Sequence, residues 1–277
     1  MNNIVKKIIL LILILTILII GINIFMSIHE GKYNEYESDI INSSNAKTLQ
    51  IDNNKITNLS KRSGKDTSAM TKIKNMSSLN ISQIEIFYDE LDKNDKVISN
   101  SKLYLDITLS PKDVMKIEFT PKDYTYSIEI TGYAYIVEDC QVFVDLKDND
   151  VKIIENEKYL QNSKTYDAIS INKVQRDKLQ QDDLNFTIEI ENISDKNLGN
   201  IILKVAEIDQ NKEIVKIDHI IYNSILKPEQ KDEIVSSLYD SNYDIKIIGY
   251  TYDDMENKSN VDIDLITNKV NIIENGQ

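Results

Sequence analysis

The chain has 277 residues, a net charge of −13, two histidines, one cysteine and no tryptophan. A single cysteine cannot form an intrachain disulfide, so an exported part of this chain must gain its stability from packing. So few histidines and cysteines exclude a zinc site built from clusters of them, and they leave little material for a nucleophile paired with a histidine. The acidic balance opposes nucleic acid and anionic lipid headgroups as partners, because both are negatively charged.

An apolar segment follows a short N-terminal tail of residues 1–7. Residues 8–28 contain no charged side chain, and as a helix they reach about 31 Å, the thickness of a bilayer's hydrocarbon core. Lys6 and Lys7 precede the segment and Glu30 follows it, which by the positive-inside rule keeps the tail in the cytoplasm. A cleaved signal peptide is the alternative, but it ends in a small-x-small site that is missing here. The sequence predicts a single-pass protein of the cell membrane, with its C-terminal part outside the cytoplasm.

The remainder of the chain contains one sequence unit twice. Residues 109–135 and 226–252 are identical at 10 of 27 positions without a gap, whereas chance gives roughly two. The sequence VKIIEN at residues 151–156 also returns as VNIIEN at residues 270–275. We therefore predict a polar stalk at residues 29–45, a first repeat at 46–156, a linker at 157–164 and a second repeat at 165–277.

Short stretches of alternating apolar and polar residues predict β-strands in both repeats. In the first repeat they are Met70–Asn75, Ile84–Tyr88, Leu103–Ile107 and Ser127–Ile130, and in the second Phe186–Ile190, Ile201–Val205, Ile214–Ile221 and Asp244–Ile248. Turn residues fall between the strands, at 92–95 and 209–212. The size and rhythm of the repeats are typical of an immunoglobulin-like sandwich. The predicted fold class is all-β, with two tandem immunoglobulin-like β-sandwich domains behind one transmembrane helix.

A recurring tyrosine near the start of a late strand resembles the tyrosine corner of Greek-key sandwiches, in which the phenol bonds to the backbone. The candidate residues for this structural role are Asp123, Tyr126 and Ile128, which recur as Asp240, Tyr243 and Ile245.

The segments at residues 74–97 and 191–214 resemble extracytoplasmic bacterial immunoglobulin-like domains of the FxLYD type. In that family an Asn-x-Ser/Thr segment leads through an apolar strand into a hairpin that carries an aspartate. The positions that match its motif are Tyr88, Glu90, Leu91 and Asp92 in the first repeat, and Val205, Glu207, Ile208 and Asp209 in the second. The resemblance implies an accessory or binding module outside the cytoplasm and no catalytic residue.

Paired tyrosines form the other recurring pattern. Tyr133 and Tyr135 recur as Tyr250 and Tyr252, each pair after an equivalent glycine. Residues two apart share one face of a strand, so each pair forms either a platform for sugars or an extended peptide, or a part of the core. Recurrence at the same place in both repeats favours the core.

Calcium is the one metal ion that the composition could serve, since carboxylates suffice as its ligands. The candidate groups are Asp145 with Asp148 and Asp150, Asp253 with Asp254, and Asp262 with Asp264. None follows the spacing of a calcium loop, and we predict neither a metal nor a cofactor. His219 is expected at the surface, and Cys140 at a strand end or partly buried.

The leading hypothesis is a non-catalytic binding or assembly module outside the membrane, with an envelope protein or a cell-wall polymer as its partner. The alternative is a sensory or regulatory ectodomain that acts through a partner membrane protein. An enzyme is disfavoured, because hydrolysis would require histidines, cysteines or clustered acids that the pattern does not supply. The sequence does not identify the ligand or the oligomeric state.

Overall fold

The computed structural model describes residues 40–57, 59–61, 67–122, 124–138, 140–155, 161–162, 166–176 and 184–274. Within these ranges the secondary structure consists of strands, turns and bends, with no helix. No helix that could cross a bilayer is found in this part of the chain. The tail at residues 1–7, the apolar segment at 8–28 and the stalk up to residue 39 lie outside the described residues.

The first half of the described chain contributes strands β1 to β10. They are β1 (Leu49–Ile51), β2 (Lys55–Ile56), β3 (Ser60–Lys61), β4 (Thr67–Asn75), β5 (Ile81–Leu91), β6 (Val97–Leu109), β7 (Val114–Phe119), β8 (Ser127–Val137), β9 (Cys140–Asp145) and β10 (Asp150–Glu155). The smaller sheet has the order β1-β4-β7, and the larger sheet has the order β10-β9-β8-β5-β6, with β2 beside β8 and β3 beside β4.

The second half contributes strands β11 to β19. They are β11 (Gln161–Asn162), β12 (Ile169–Arg176), β13 (Asn185–Asn192), β14 (Leu198–Ile208), β15 (Ile214–Tyr222), β16 (Lys231–Ser237), β17 (Asp244–Asp254), β18 (Ser259–Asp264) and β19 (Lys269–Glu274). Its smaller sheet has the order β12-β13-β16, and its larger sheet the order β15-β14-β17-β18-β19. All eight stretches predicted as strands lie within observed strands.

The strand registers of the two halves are equivalent. Up to β8 and β17, corresponding residues differ by 117 in number. The next hairpin is longer in the second half, because Val137 pairs with Cys140 whereas Asp254 pairs with Ser259. From there on the offset is 119, which explains why residues 151–156 return as 270–275.

Each half encloses a hydrophobic core between its two sheets. The first core includes Ile73 and Phe119 from the smaller sheet and Ile86 from the larger one. The second core is built in the same way, around Ile188 and Leu203. Burial of these side chains stabilises each half by about 25 cal/mol for every Å² of apolar surface removed from water.

The structure corrects two predicted boundaries. Ile41, which the sequence places in the stalk, is 2% exposed and belongs to the first core. Residues 161–162, predicted as linker, form β11, in which Gln161 pairs with Val270 of β19. The rest of the predicted linker lies outside the described residues.

A bulge at the same place in both larger sheets explains the recurring glycine. Opposite β5 the register of β8 skips Thr131, and opposite β14 the register of β17 skips Ile248. A Cβ atom on Gly132 would lie 2.5 Å from the carbonyl oxygen of Val144. On Gly249 it would lie 2.6 Å from the equivalent carbonyl. Only a residue without a side chain fits where neighbouring backbones approach this closely.

Candidate functional site

The two halves meet along a mixed apolar and charged interface. Met115 of β7 pairs in parallel with Ile214 of β15, which joins the smaller sheet of the first half to the larger sheet of the second in one ten-stranded sheet. Ala206, Ile214 and Ile248 of the second half belong to the first hydrophobic core. The contact is therefore part of the packing of the first half.

A buried lysine lies at the centre of the interface. Lys204 is 8% exposed, and its Nζ lies 2.8 Å from Asp106 Oδ2 of the first half and 3.0 Å from Asp262 Oδ1 of the second. His219 Nε2 lies 3.5 Å from the same Asp106 oxygen. Beside this group, Thr108 donates a hydrogen bond to Asp264. A removed partner would leave a buried charge uncompensated, so the cluster holds the halves together.

The surroundings set the charge of each member of the cluster. Burial lowers the pKa of Lys204, but Asp262 and Asp106 outweigh this effect, so its pKa is raised overall. Burial likewise opposes ionisation of Asp106, yet His219 and Lys204 hold its pKa down at about 2. Burial raises the pKa of Asp262, and the attraction of Lys204 offsets this only in part. Lys204 is thus protonated at neutral pH and lacks the free lone pair that a nucleophilic or Schiff-base lysine needs.

The cleft around Lys204 is small. Its volume is about 50 Å³, and its walls include Gln83 and Ile107 of the first half and Gly249 and Lys269 of the second. A water molecule occupies about 30 Å³ in the liquid, whereas ligand pockets generally measure about 300–1,000 Å³. The cleft has room for water or a small ion rather than for an organic substrate.

A second group of charges lies at the edge of the same interface. Lys72 Nζ is 2.7 Å from Glu213 Oε1, and Lys116 Nζ is 3.4 Å from Glu213 Oε2. Lys116 also lies 2.6 Å from Asp209 Oδ2. Lys72 and Lys116 stand directly opposite each other on adjacent strands. Their mutual repulsion is relieved by Glu213 and Asp209, which reach across from the second half.

The structure places the paired tyrosines in the two cores. Tyr133, Tyr135, Tyr250 and Tyr252 are each between 0% and 4% exposed. Tyr135 donates a hydrogen bond of 2.7 Å to the carbonyl of Ala46, and Tyr252 donates one of 2.8 Å to a backbone carbonyl. Burial raises the pKa of Tyr133 and Tyr250 to about 12. An aromatic platform would need exposed ring faces, which these side chains lack, so the platform interpretation is wrong and the core alternative holds.

The tyrosine-corner interpretation is also corrected. Tyr126 is 58% exposed, whereas a tyrosine corner requires a buried phenol. Tyr243 is partly exposed, and its backbone N–H donates a hydrogen bond to the carbonyl of Asp240. Ile128 is buried in the first core, as the spacing predicts, and Ile245 packs against the second. Asp123 lies outside the described residues.

A buried glutamate holds this crossover in each half. Glu90 is 3% exposed and accepts hydrogen bonds from the backbone N–H of Lys122 and the hydroxyl of Thr125. Its equivalent, Glu207, is 1% exposed and accepts from the backbone N–H of Tyr239 at 2.9 Å. Burial raises the pKa of Glu207. The sequence signal for this role was a glutamate that recurs at the same position of both repeats, as Glu90 and Glu207.

The other recurring polar positions stabilise turns. Asp92 Oδ1 accepts hydrogen bonds from two backbone N–H groups in its own hairpin, and Asp209 does the same in the second half. Asn75 and Asn192 are both fully buried. The side-chain amide of Asn75 donates to two backbone carbonyls, at 2.8 and 2.9 Å, and the bonds of Asn192 are equivalent. The Asn-x-Ser triplets are therefore structural turns whose amide nitrogens point inward.

The remaining expectations concern metals and isolated reactive side chains. No group of three or more His, Cys, Asp or Glu suited to a metal ion is found among the described residues. The calcium candidate Asp145 accepts from two N–H groups of its own turn, and Asp254 also bonds its turn and lies 2.6 Å from Lys196. Cys140 begins β9 and is 1% exposed. The side chain of His219 is 46% exposed, in agreement with the predicted surface position.

Comparisons with known proteins give no family. No family model matches this chain, and no curated protein matches it. A solved structure of red sea bream transglutaminase shows 9% identity, with 75% of this chain and 29% of that chain covered and a TM-score of 0.20. A chain of a chaperone–tip adhesin complex of CFA/I fimbriae shows 11% identity, with 74% and 93% covered and a TM-score of 0.17. Neither likeness is close enough to assign a fold family or a function.

Proposed function

We propose that the protein is a non-catalytic binding or assembly module, anchored in the cell membrane by residues 8–28 and exposed outside the cytoplasm. Its folded part consists of two tandem immunoglobulin-like domains of the FxLYD type, and its partner is an envelope protein or a cell-wall polymer. The observation that carries this proposal is the fusion of both halves, through Met115 and Ile214, into one ten-stranded sheet.

The joined sheet and the shared core of the two halves support a rigid module that presents binding surfaces rather than an enzyme. The cleft at the interface measures only about 50 Å³, and paired charges such as Lys204 and Asp262 line it. The second half exposes a sheet edge, β16, on which Val235 is 65% exposed. Extended sheet edges and faces are the surfaces on which modules of this kind take up other proteins.

The first experiment is a quantitative pull-down of the full chain, carrying a C-terminal tag, from detergent-solubilised membranes and from purified cell-wall material. The control replaces residues 40–277 by an unrelated folded domain and keeps residues 1–39. It retains the proposed anchor but lacks every described strand. We expect one envelope protein, or the wall polymer, to be enriched with the full chain and absent with the control.

The outcomes separate the proposed roles. Enrichment of a membrane protein supports an assembly subunit, and retention on wall polymer supports an envelope-binding module. If neither is recovered, the binding proposal is contradicted, and a sensory ectodomain that acts through a partner membrane protein becomes the favoured alternative. Protease treatment of intact cells tests the location separately, because a C-terminal tag inside the cytoplasm would survive.

A further inference from the structure

The interface between the halves uses two surfaces, and each has an unused counterpart. In the first half, the covering edge comprises Lys72, Asp106, Thr108, Met115 and Lys116. In the second half, the covered face comprises Lys204, Asp209, Glu213, Ile214 and Asp264. The equivalent edge of the second half corresponds to the covering edge and comprises Glu189, Asn223, Ile225, Asp232 and Glu233. The open face of the first half corresponds to the covered face and comprises Phe87, Asp92, Lys96, Val97 and Asp145. The strand registers fix these equivalences.

The charges of the two unused surfaces are complementary, with the signs reversed. In the covering edge, Lys72 and Lys116 stand opposite each other and share Glu213. In the equivalent edge, Glu189 and Glu233 stand opposite each other, and Glu189 also stands opposite Lys173 on the neighbouring strand β12. Two like charges directly opposite on neighbouring strands destabilise a sheet unless a counter-charge joins them.

The open face supplies a second counter-charge, at the position equivalent to Glu213. Lys96 replaces Glu213 in the C-terminal part of the hairpin, and its side chain is exposed. Two glutamates and one lysine thus stand where two lysines and one glutamate form the observed contact. The complementarity is retained although all three signs are inverted.

The apolar residues of the unused surfaces also correspond. Thr108, Lys204 and Asp262 line the cleft between the halves, and their equivalents are Ile225, Phe87 and Phe143. Ile225 is 48% exposed, whereas the equivalent Thr108 is 4% exposed. Phe87 and Phe143 are partly exposed and line a groove of about 380 Å³ over Gly132. A contact like the observed one would place Ile225 between the two phenylalanine rings.

Two differences weaken this contact relative to the observed one, a repulsive charge pair and the loss of apolar packing. Glu233 and Asp92 replace Lys116 and Asp209, so one attractive pair becomes a repulsive pair. Asp89 and Thr131 replace Ala206 and Ile248, which are the residues that enter the first core. If these two surfaces meet between two copies of the chain, that contact is weaker and more reversible than the contact within the chain. Confinement to a membrane would favour it, because it raises the local concentration of the copies.

From these correspondences we propose that the open face of one copy binds the equivalent edge of a second copy, so that copies associate head to tail. Because the two surfaces differ, the contact does not close on itself and generates an open-ended chain. The inference deepens the proposed function by naming one partner, and it rests on the two halves being the same module.

The test introduces two cysteines that the proposed contact would bring together. Thr108 and Asp264 are hydrogen-bonded across the observed interface, so their equivalents Ile225 and Asp145 become Ile225→Cys and Asp145→Cys. The full chain is expressed in membranes and treated with a short bifunctional maleimide. The native Cys140 is 1% exposed and serves as an unreactive reference in the folded protein. We expect a ladder of dimers, trimers and larger species from the double variant, and no ladder from either single variant.

Charge reversal then distinguishes this contact from random collision. In the double-cysteine background, Lys96→Glu should lower the cross-linked fraction roughly threefold to tenfold. The combination of Lys96→Glu with Glu189→Lys and Glu233→Lys should restore it, since the same three charges are then inverted. The absence of a ladder, or a ladder insensitive to Lys96→Glu, would overturn the proposal. Neither result would affect the pull-down with envelope partners, so failure here is distinguishable from failure of the proposed function.

Discussion

The larger sheets of the two halves have five equivalent strands and the same bulge, yet one face is covered and its equivalent is open. In the second half, Ala206 and Ile248 on this face pack into the first core. In the first half the equivalent positions carry Asp89 and Thr131, and Asp89 is paired with Lys147 at 2.6 Å. One module therefore adapts to two environments by exchanging a few side chains on one face, while its internal framework stays the same.

The largest effects are expected from the buried asparagines, because they belong to the shared framework. Asn75→Ala and Asn192→Ala should each lower the free energy of unfolding by about 3 kcal/mol, since each leaves buried carbonyls without a donor. Urea unfolding of the two variants measures this. A loss that is large in one half and below about 1 kcal/mol in the other would break the equivalence of the halves.

Lys204→Met should have the next largest effect, because it removes the cation between Asp106 and Asp262. We expect a loss of about 2 kcal/mol and a separation of the unfolding transition into two, as the contact between the halves weakens. Phe87→Met is the matched control at the equivalent open position, where a swap of similar volume should cost less than about 1.5 kcal/mol. Equal costs at both positions would contradict the assigned role of Lys204.

The phenol hydrogen bonds should contribute less. Tyr135→Phe and Tyr252→Phe should each cost about 1 kcal/mol, because the bonds to backbone carbonyls at 2.7 and 2.8 Å are lost. Tyr126→Phe is the control, and its exposed phenol should leave the midpoint of thermal unfolding unchanged. A larger cost for Tyr126→Phe than for Tyr135→Phe would restore the tyrosine-corner interpretation.

Lowering the pH should have the smallest effect, a partial weakening of the contact between the halves at Asp106. The pKa of Asp106 is about 2 in the folded protein, below its ordinary value of 3.8. Its ionised form therefore stabilises the fold above pH ~4, and this contribution is lost as the pH falls toward ~2. The raised pKa of Asp262 acts in the opposite sense, so the net effect should be below about 1 kcal/mol.

Thermal unfolding between pH ~2 and ~5 measures this contribution. Asp106→Asn should flatten the acid side of the stability curve, whereas Asp148→Asn, in an exposed turn, should leave its shape unchanged. If Asp106→Asn lost stability at low pH as the unmodified protein does, the ionised carboxylate of Asp106 would not be stabilising the contact between the halves.

The features that depend on neighbours along the chain were predictable from the sequence. Alternating residues located the strands, and Asp92 was correctly placed in a turn because local hydrogen bonds to the backbone decide its conformation. The recurrence of Tyr133 and Tyr250 pointed correctly to the core. These inferences needed only the two copies of the unit.

The role of Glu90 and the interface between the halves were not predictable in this way. The sequence suggested that Tyr126 held the crossover, but the bonds come from Glu90, which lies far from that loop in the chain. The partner of Lys204 is Asp106 of the other half, and no local pattern joins them. A usable signal existed in the positions where the repeats differ, since apolar Ile248 replaces polar Thr131 on a face that a single sandwich would leave in water.

Thiol labelling at the two bulge positions tests whether the first half covers the equivalent face of the second half. Thr131→Cys and Ile248→Cys are each treated with a maleimide under native conditions, with the buried Cys140 as the internal reference. Ile248 is 4% exposed beneath the first half, whereas Thr131 is partly exposed. We expect fast labelling of the cysteine at position 131 and slow labelling of the cysteine at position 248. The rate at position 248 should rise when Lys204→Met is added. Equal rates at the two positions would contradict this expectation.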